Sequence, residues 1–170
     1  MCSPRLRWPG EPHPSPVPPV CRRRAVAGRR CRLFLHGRTA TAAVPGPDST
    51  TAALCRKLDD RLPQRVAGLE RNDPEPESAL TAGWGSPAII LRCGVPRPGA
   101  MNDPDAEGVE ADGVGWLMEQ PGDGSFRFTT TLRRAYVEVA LPAEHVPEGL
   151  APLSDLAPSV TEAIPEGIAD

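Results

Sequence analysis

Proline spacing limits what the N-terminal part of this chain can form. Seven of the first 19 residues are proline, and each proline fixes its φ angle and lacks an amide donor, so helix and sheet are excluded there. Over all 170 residues, 22 prolines and 16 glycines bring the combined content close to that of partly disordered chains. Because only seven residues are aromatic, we expect one small ordered core and a disordered remainder.

Charge divides the chain near residue 38. Residues 1–38 contain nine arginines and one acidic residue, whereas residues 39–170 contain ten basic and 21 acidic residues. The basic tail has three interpretations: an arm that binds nucleic acid or anionic lipid, a disordered tail, or translation of GC-rich DNA in the wrong frame across a signal region. Nucleic-acid binding is disfavoured, because the tail has few aromatic residues to stack on bases and the remainder is acidic.

Residues 1–48 are therefore predicted to be a disordered Pro/Arg-rich tail and linker, or a mis-framed signal region, and residues 49–170 to form a single domain. A first helix is predicted from a cap at Ser49 or Thr50 to about Leu62, and a second from Leu153 to Ile164, both from apolar residues at helical spacing. Two proline-rich loops, residues 71–77 and 95–106, interrupt the chain between them.

Four strands are predicted from β-branched and alternating residues, at 88–93, 109–119, 126–132 and 135–141. A hairpin turn is expected at Pro121–Gly124. In the last strand, Tyr136 and Glu138 alternate with Val137 and Val139. The predicted fold is α+β, with a small four-stranded, mainly antiparallel sheet and two helices packed on one face.

Several stretches of the domain resemble a known family. They are ALTAGWGSPAI at residues 79–89, LRCGVPRP at 91–98, GWL at 115–117 and FRFTTTLRRAYV at 126–137. These stretches are similar to the actinobacterial family called domain of unknown function 3515, from about Leu54 to Asp170. The resemblance implies an exported or lipoprotein-like protein with an N-terminal signal or anchor, and it implies no activity or catalytic residue. The first 40 or so residues depart from the family pattern.

Two of the five cysteines lie in the predicted domain. Cys55 borders the apolar stripe of the first helix, and Cys93 shares a strand face with Ile89 and Leu91. Packing of the helix on the sheet would bring the two together. If the chain is exported, as the resemblance implies, a Cys55–Cys93 disulfide is expected, whereas in a reducing compartment two buried free thiols are an equal alternative.

Six residues are candidates for a recognition surface, because Trp and Arg contribute strongly to binding energy. They are Trp84, Trp116, Arg92, Arg127, Arg133 and Arg134. The alternative is that both tryptophans pack in the core and the arginines face water. We expect no metal site, since the calcium-like run from Asp103 to Gly108 has Val114 where a glutamate ligand is needed and His145 is the only histidine of the domain.

The leading hypothesis is a non-enzymatic, extracytoplasmic, envelope-associated binding or accessory domain without a cofactor. Its partner would be an unknown envelope component or protein, with membrane association through an N-terminal anchor if the signal region is restored. The alternatives are a small hydrolase or transferase that uses carboxylates of the two proline-rich loops, and a cytoplasmic nucleic-acid binder that uses the arginine-rich tail.

Overall fold

The computed structural model describes residues 39–169, so the predictions about the arginine-rich tail lie outside the described residues. The predicted α+β fold is confirmed. In this part of the chain, two α-helices, α1 and α2, and two short 3-10 helices, Gly99–Asn102 and Ala143–Glu148, accompany eight strands. In chain order the elements are α1 (Ser49–Asp59), β1 (Arg65–Val66), β2 (Leu69–Glu70), β3 (Thr81–Trp84), β4 (Ile89–Cys93), β5 (Gly108–Ala111), β6 (Val114–Glu119), β7 (Phe126–Thr130), β8 (Val137–Leu141) and α2 (Ala151–Ala163).

The prediction of a four-stranded sheet is wrong, because the main sheet has six strands. Their order is β3-β4-β8-β7-β6-β5, and every neighbouring pair is antiparallel. Strands β1 and β2 form a separate two-stranded ribbon.

Two features account for the missing strands. The segment predicted as one strand over residues 109–119 is a hairpin, in which Asp112 and Gly113 have φ of 45° and 78° and reverse the chain between β5 and β6. Strand β3 contains Gly83, whose position is crowded because an added Cβ would lie 2.5 Å from the carbonyl oxygen of Asn72. Glycine is disfavoured in strands in general, so the β3 sequence carries a weak strand signal.

One face of the sheet, which we call the helix face, packs against both helices. Its side chains alternate along each strand and join α1 and α2 in a single apolar cluster; among them are Trp84, Leu91, Trp116, Val137 and Val139. Cys55 and Leu58 enter this cluster from α1, and Leu156 and Val160 enter it from α2. Burial of these side chains supplies the main driving force for folding.

The N-cap of helix α1 lies one residue before the first predicted position. Asp48, not Ser49 or Thr50, is the N-cap, and its carboxylate accepts hydrogen bonds from the backbone amides of Thr50 and Thr51 at 2.7 and 3.1 Å. The hydrogen bonds from Thr51 and Thr50 hold the pKa of Asp48 below its ordinary value. Helix α1 ends at Asp59 rather than at Leu62, although Leu62 remains buried.

The second face of the sheet is also covered. Register pairs place the side chains of Arg92, Leu117, Thr129 and Glu138 on it, and Tyr136 follows the same alternation. We call this the loop-covered face, because the second proline-rich loop, residues 95–106, lies against it through Arg97, which donates a hydrogen bond to the Tyr136 hydroxyl at 3.4 Å. Among residues 39–169, no helix combines the length and hydrophobicity needed to cross a bilayer.

Candidate binding site beneath the second proline-rich loop

A cavity of about 640 Å³, the main cavity, lies at one end of the loop-covered face. Its floor comes from β5 and β6, through Gly108, Gly115 and Leu117. Met101 of the second proline-rich loop lines it too, as does Ile168 near the C-terminus of the domain. The volume falls within the range of small-molecule binding sites, which is roughly 300–1,000 Å³.

Arg133 contributes a buried positive charge to the main cavity. Arg133 is only 4% exposed. Its guanidinium donates hydrogen bonds to the carbonyl oxygens of Ile164 at 3.2 Å and Gly113 at 3.4 Å. No carboxylate of residues 39–169 lies within 4.0 Å of it. A guanidinium has five N–H donors, so these two bonds leave part of its hydrogen-bonding capacity unused within the described residues.

Arg97 also lines the main cavity and holds the loop in place. Besides its bond to Tyr136, it donates to the carbonyl oxygen of Met101 at 3.0 Å and to the side-chain oxygen of Asn102 at 3.1 Å. The guanidinium thus joins the 3-10 turn Gly99–Asn102 to Tyr136, the residue that precedes strand β8. This contact fixes the loop relative to the cavity floor.

Two carboxylates line the same cavity, Glu107 and Glu110, and both belong to exposed residues. Water screens exposed charges far more than buried ones. The positive charge of Arg133 is therefore the less screened charge of the cavity.

A second cavity, of about 400 Å³, lies over the centre of the loop-covered face. Its charged side chains are connected through Glu138, whose Oε1 accepts from Arg92 Nε and Nη2 at 2.9 and 2.7 Å. Arg127 Nε lies 3.6 Å from the other oxygen of Glu138. Because Glu138 pairs with both arginines, each has a counter-charge, whereas Arg133 has none within residues 39–169.

A comparison with known families identifies the group to which this chain is related. The model of the family described as "Protein of unknown function (DUF3515)" matches residues 25–168. The chain belongs to this family. No curated protein and no solved structure matches it.

The DUF3515 match corrects one expectation about the N-terminus. The first 40 or so residues were expected to depart from the family pattern, but the match begins at Ala25. The family model therefore covers residues 25–40 as well.

The two tryptophan candidates of the DUF3515 chain lie in the core. Trp84 and Trp116 are 0% and 1% exposed, and both point to the helix face. Trp84 donates its indole N–H to the carbonyl oxygen of Pro63 at 3.0 Å. The alternative in which both tryptophans pack in the core describes their burial correctly, although Trp116 also lines the main cavity and Trp84 does not.

The four arginine candidates are divided among three environments. Arg133 lies in the main cavity, and Arg92 and Arg127 lie in the second cavity. Arg134 is exposed, and its side chain lies beside Gly167, where an added Cβ would be 3.0 Å from its Cγ. Alternation alone did not separate the buried Arg133 from its exposed neighbour Arg134.

Sequence reasoning missed a polar cluster around Arg71. Its guanidinium lies 5.5 Å from the ring centroid of Trp84 and donates to Asp59 at 2.8 Å and to Asp73 at 2.5 Å. Burial by itself lowers the pKa of Arg71, but the hydrogen bonds to Asp73 and Asp59 outweigh this effect and raise the pKa above its ordinary value. Because every charge in this cluster is paired, we assign it a structural role.

The carboxylates of the two proline-rich loops are not brought together in one cavity. Asp73 and Glu77 of the first loop line a cavity of about 330 Å³ beside Arg71, whereas Asp103 and Asp105 of the second loop line neither that cavity nor the main cavity. Among residues 39–169, no group of three or more His, Cys, Asp or Glu side chains is placed to hold a metal ion.

The expected pairing of Cys55 with Cys93 is present in the structure. The two cysteines form a disulfide with a Cα–Cα distance of 5.5 Å and a sequence separation of 38. Both are buried in the core cluster, where the bond joins α1 to β4. It holds α1 against the helix face and leaves the main cavity, on the other face, unobstructed.

Proposed function

We propose that this DUF3515 domain is a non-enzymatic binding domain that acts outside the cytoplasm in association with the cell envelope. Its ligand site is the main cavity, and the ligand carries an anionic group that pairs with Arg133. The Cys55–Cys93 disulfide supports this location, because disulfides persist mainly in oxidising compartments.

The burial of Arg133 with no carboxylate partner among residues 39–169 carries the proposal. A buried charge is costly unless it is paired, and proteins usually place a counter-charge beside it. Glu138, the only other buried charged side chain among residues 39–169, satisfies this rule, because it is paired with Arg92. Arg133 is the exception, and it lines a cavity of ligand size.

The geometry of Arg133 suits recognition of a phosphate or carboxylate group. Its planar guanidinium is held from two sides, by the carbonyl oxygens of Ile164 and Gly113. Donors that are already oriented lose less conformational entropy when a ligand binds. A charged, oriented guanidinium can form the short bidentate hydrogen bonds that make arginine an effective anion receptor.

The proposal is tested by NMR titration of the full chain with inorganic phosphate, with sodium chloride at matched ionic strength as the reference. We expect phosphate-specific shifts at the amides of Gly115, Thr131 and Arg133. The variant Arg133→Gln should weaken phosphate binding about tenfold, because a charge-assisted hydrogen bond is lost.

Two further variants make the titration decisive. Arg56→Gln removes an exposed arginine of α1 and should leave the shifts unchanged, whereas Arg133→Lys keeps the charge and should retain part of the affinity. Thermal unfolding of each variant checks that it is folded. Shifts that follow sodium chloride equally well, or that survive in a folded Arg133→Gln variant, would contradict the proposal.

A further inference from the structure

We infer that the ligand of the main cavity is an anionic amphiphile, with its charged head at Arg133 and its apolar chain across Leu132 and Ile168. The inference rests on the proposed function, since it uses the same cavity, and it adds the chemical class of the ligand. Four observations carry it: two exposed aliphatic side chains, an unusual backbone conformation, the pairing that places them, and the neighbouring buried charge.

Leu132 and Ile168 are far more exposed than the other large apolar side chains of residues 39–169. Leu132 is 75% exposed and Ile168 is 76% exposed, and both line the main cavity. Single exposed leucines are ordinary on protein surfaces. Two such residues beside one cavity of ligand size offer an apolar ligand a surface that it could remove from water.

The backbone of Leu132 is held in a conformation that leucine rarely adopts. Its φ is +52°, in the left-handed region that glycine enters at no steric cost. The leucine side chain is itself turned to solvent, so burial within the domain does not explain why leucine occupies this position. Strained residues of this kind concentrate at ligand-binding and other functional sites.

Backbone pairing between two segments sets the rim of the cavity. The amide of Gly167 donates to the carbonyl oxygen of Leu132 at 3.0 Å, and the amide of Arg134 donates to the carbonyl oxygen of Pro165 at 3.0 Å. These bonds fix Leu132 next to the segment that carries Ile168. The apolar rim therefore exists before any ligand binds, which lowers the entropic cost of binding.

The apolar rim adjoins the buried charge directly in sequence, because Arg133 follows Leu132. Leu117 and Met101 extend the apolar surface into the cavity, while Arg133 supplies the cationic end. A purely apolar ligand would leave this guanidinium unpaired, and a small anion would leave Leu132 and Ile168 in water. A molecule with an anionic head and an apolar chain would pair with Arg133 and also cover Leu132 and Ile168.

Dodecyl phosphate, below its micelle concentration, is the probe that tests the inference, with inorganic phosphate and dodecyl maltoside as the matched head-only and uncharged probes. Calorimetric titration of the full chain should show one dodecyl phosphate per chain, bound at least about 100-fold more tightly than inorganic phosphate, because burial of the alkyl chain adds to the affinity. Dodecyl maltoside should bind much more weakly than dodecyl phosphate.

The variant Leu132→Gly isolates the apolar rim. Glycine accepts the φ of +52° without strain, so the domain should fold at least as well as the parent while dodecyl phosphate binding weakens about tenfold and inorganic phosphate binding stays the same. Leu150→Ser is the matched control, since Leu150 is an exposed leucine at the start of α2, outside the main cavity, and its loss should change neither affinity.

The outcomes separate this inference from the proposed function. If phosphate binds through Arg133 but the dodecyl chain adds nothing, or Leu132→Gly has no effect, the amphiphile is wrong and the anion site stands. If neither phosphate nor dodecyl phosphate binds, both proposals fail. Flotation with phosphatidylglycerol vesicles, without binding of monomeric dodecyl phosphate, would show recognition of a bilayer surface and would overturn the single-molecule site.

Discussion

Two adjacent threonines of β7 show how one residue type has opposite energetic effects on the two faces of the sheet. Both are fully buried. The Thr130 hydroxyl points to the helix face, where it accepts from the Val137 amide at 2.9 Å and lies 3.4 Å from the Ala135 carbonyl oxygen. The Thr129 hydroxyl points to the loop-covered face and has no hydrogen-bond partner among the described residues. A buried polar group without a partner costs stability, whereas a bonded one contributes to it.

We predict that Thr129→Val raises the free energy of unfolding by about 1 kcal/mol, because valine has the same shape without the unpartnered hydroxyl. Thr130→Val should lower it by about 2 kcal/mol, since it leaves the Val137 amide without an acceptor. Urea denaturation of both variants checks the pair. Equal effects of the two substitutions would contradict the assigned hydroxyl environments.

At this scale the sequence predicted what local periodicity controls. It placed Tyr136 and Glu138 opposite Val137 and Val139, and it placed Cys55 and Cys93 on surfaces that face each other, as the structure confirms. It did not predict the burial of Arg133 beside the exposed Arg134. That burial depends on the C-terminus of α2 lying beside the turn of the β5–β6 hairpin, a contact between residues distant in the chain.

At the scale of elements, the disulfide joins α1 to the sheet, although this helix packs mainly against α2. Helix α1 buries only Cys55 and Leu58, while α2 buries seven of its residues. Since α1 has few buried side chains, tertiary packing stabilises it weakly. The Cys55–Cys93 bond therefore contributes a large share of the attachment of α1.

We predict that the double variant Cys55→Ala, Cys93→Ala lowers the free energy of unfolding by roughly 4 kcal/mol, the chain-entropy value for a closed loop of this length. Chemical denaturation, with the parent measured in the presence and absence of reductant, checks the value. The double variant should be insensitive to reductant.

Mass spectrometry of protein alkylated in the producing cells should recover the Cys55 and Cys93 peptides cross-linked. Free thiols there, or no loss of stability, would contradict the proposed compartment or the role of the bond.

The number of strands was the main error made from sequence, and it has a local cause. The Asp112-Gly113 pair of the β5–β6 turn is a recognised hairpin signal, so this turn was predictable from sequence. Strand β3 was not, because Gly83 weakens its propensity and its place at the sheet edge next to β4 follows from long-range pairing. Propensity carries little information about pairings of that kind.

At the scale of the whole molecule, the sheet lies between two unlike layers. Helices with regular apolar spacing cover one face, and the second proline-rich loop covers the other. The regular spacing of apolar residues made the helix layer predictable from sequence. The loop has no periodicity, and it attaches through specific contacts of Arg97, so its covering role could not be predicted. The main cavity lies between this loop and the sheet, which is why the candidate site was found only in the structure.

The loop is also the layer that should open most easily, because most of its residues from Gly99 to Ala106 are exposed and none of them belongs to the apolar core cluster. Its three side-chain hydrogen bonds from Arg97 resist that opening. We predict that Arg97→Ala speeds amide hydrogen exchange within residues 99–106 by about tenfold and leaves exchange in β4, β7 and β8 unchanged, since the loss of these bonds affects only the local opening.

Hydrogen exchange measured by mass spectrometry tests this layered view of the domain, with Arg56→Ala on α1 as the control that should leave the loop unaffected. Dodecyl phosphate should slow exchange of the loop in the parent, because a ligand beneath the loop must be released before the loop and cavity separate. In Arg97→Ala the same ligand should protect less. If exchange rises equally in the loop and in the central strands, Arg97 supports the whole fold, and the loop is not a separately opening cover of the main cavity.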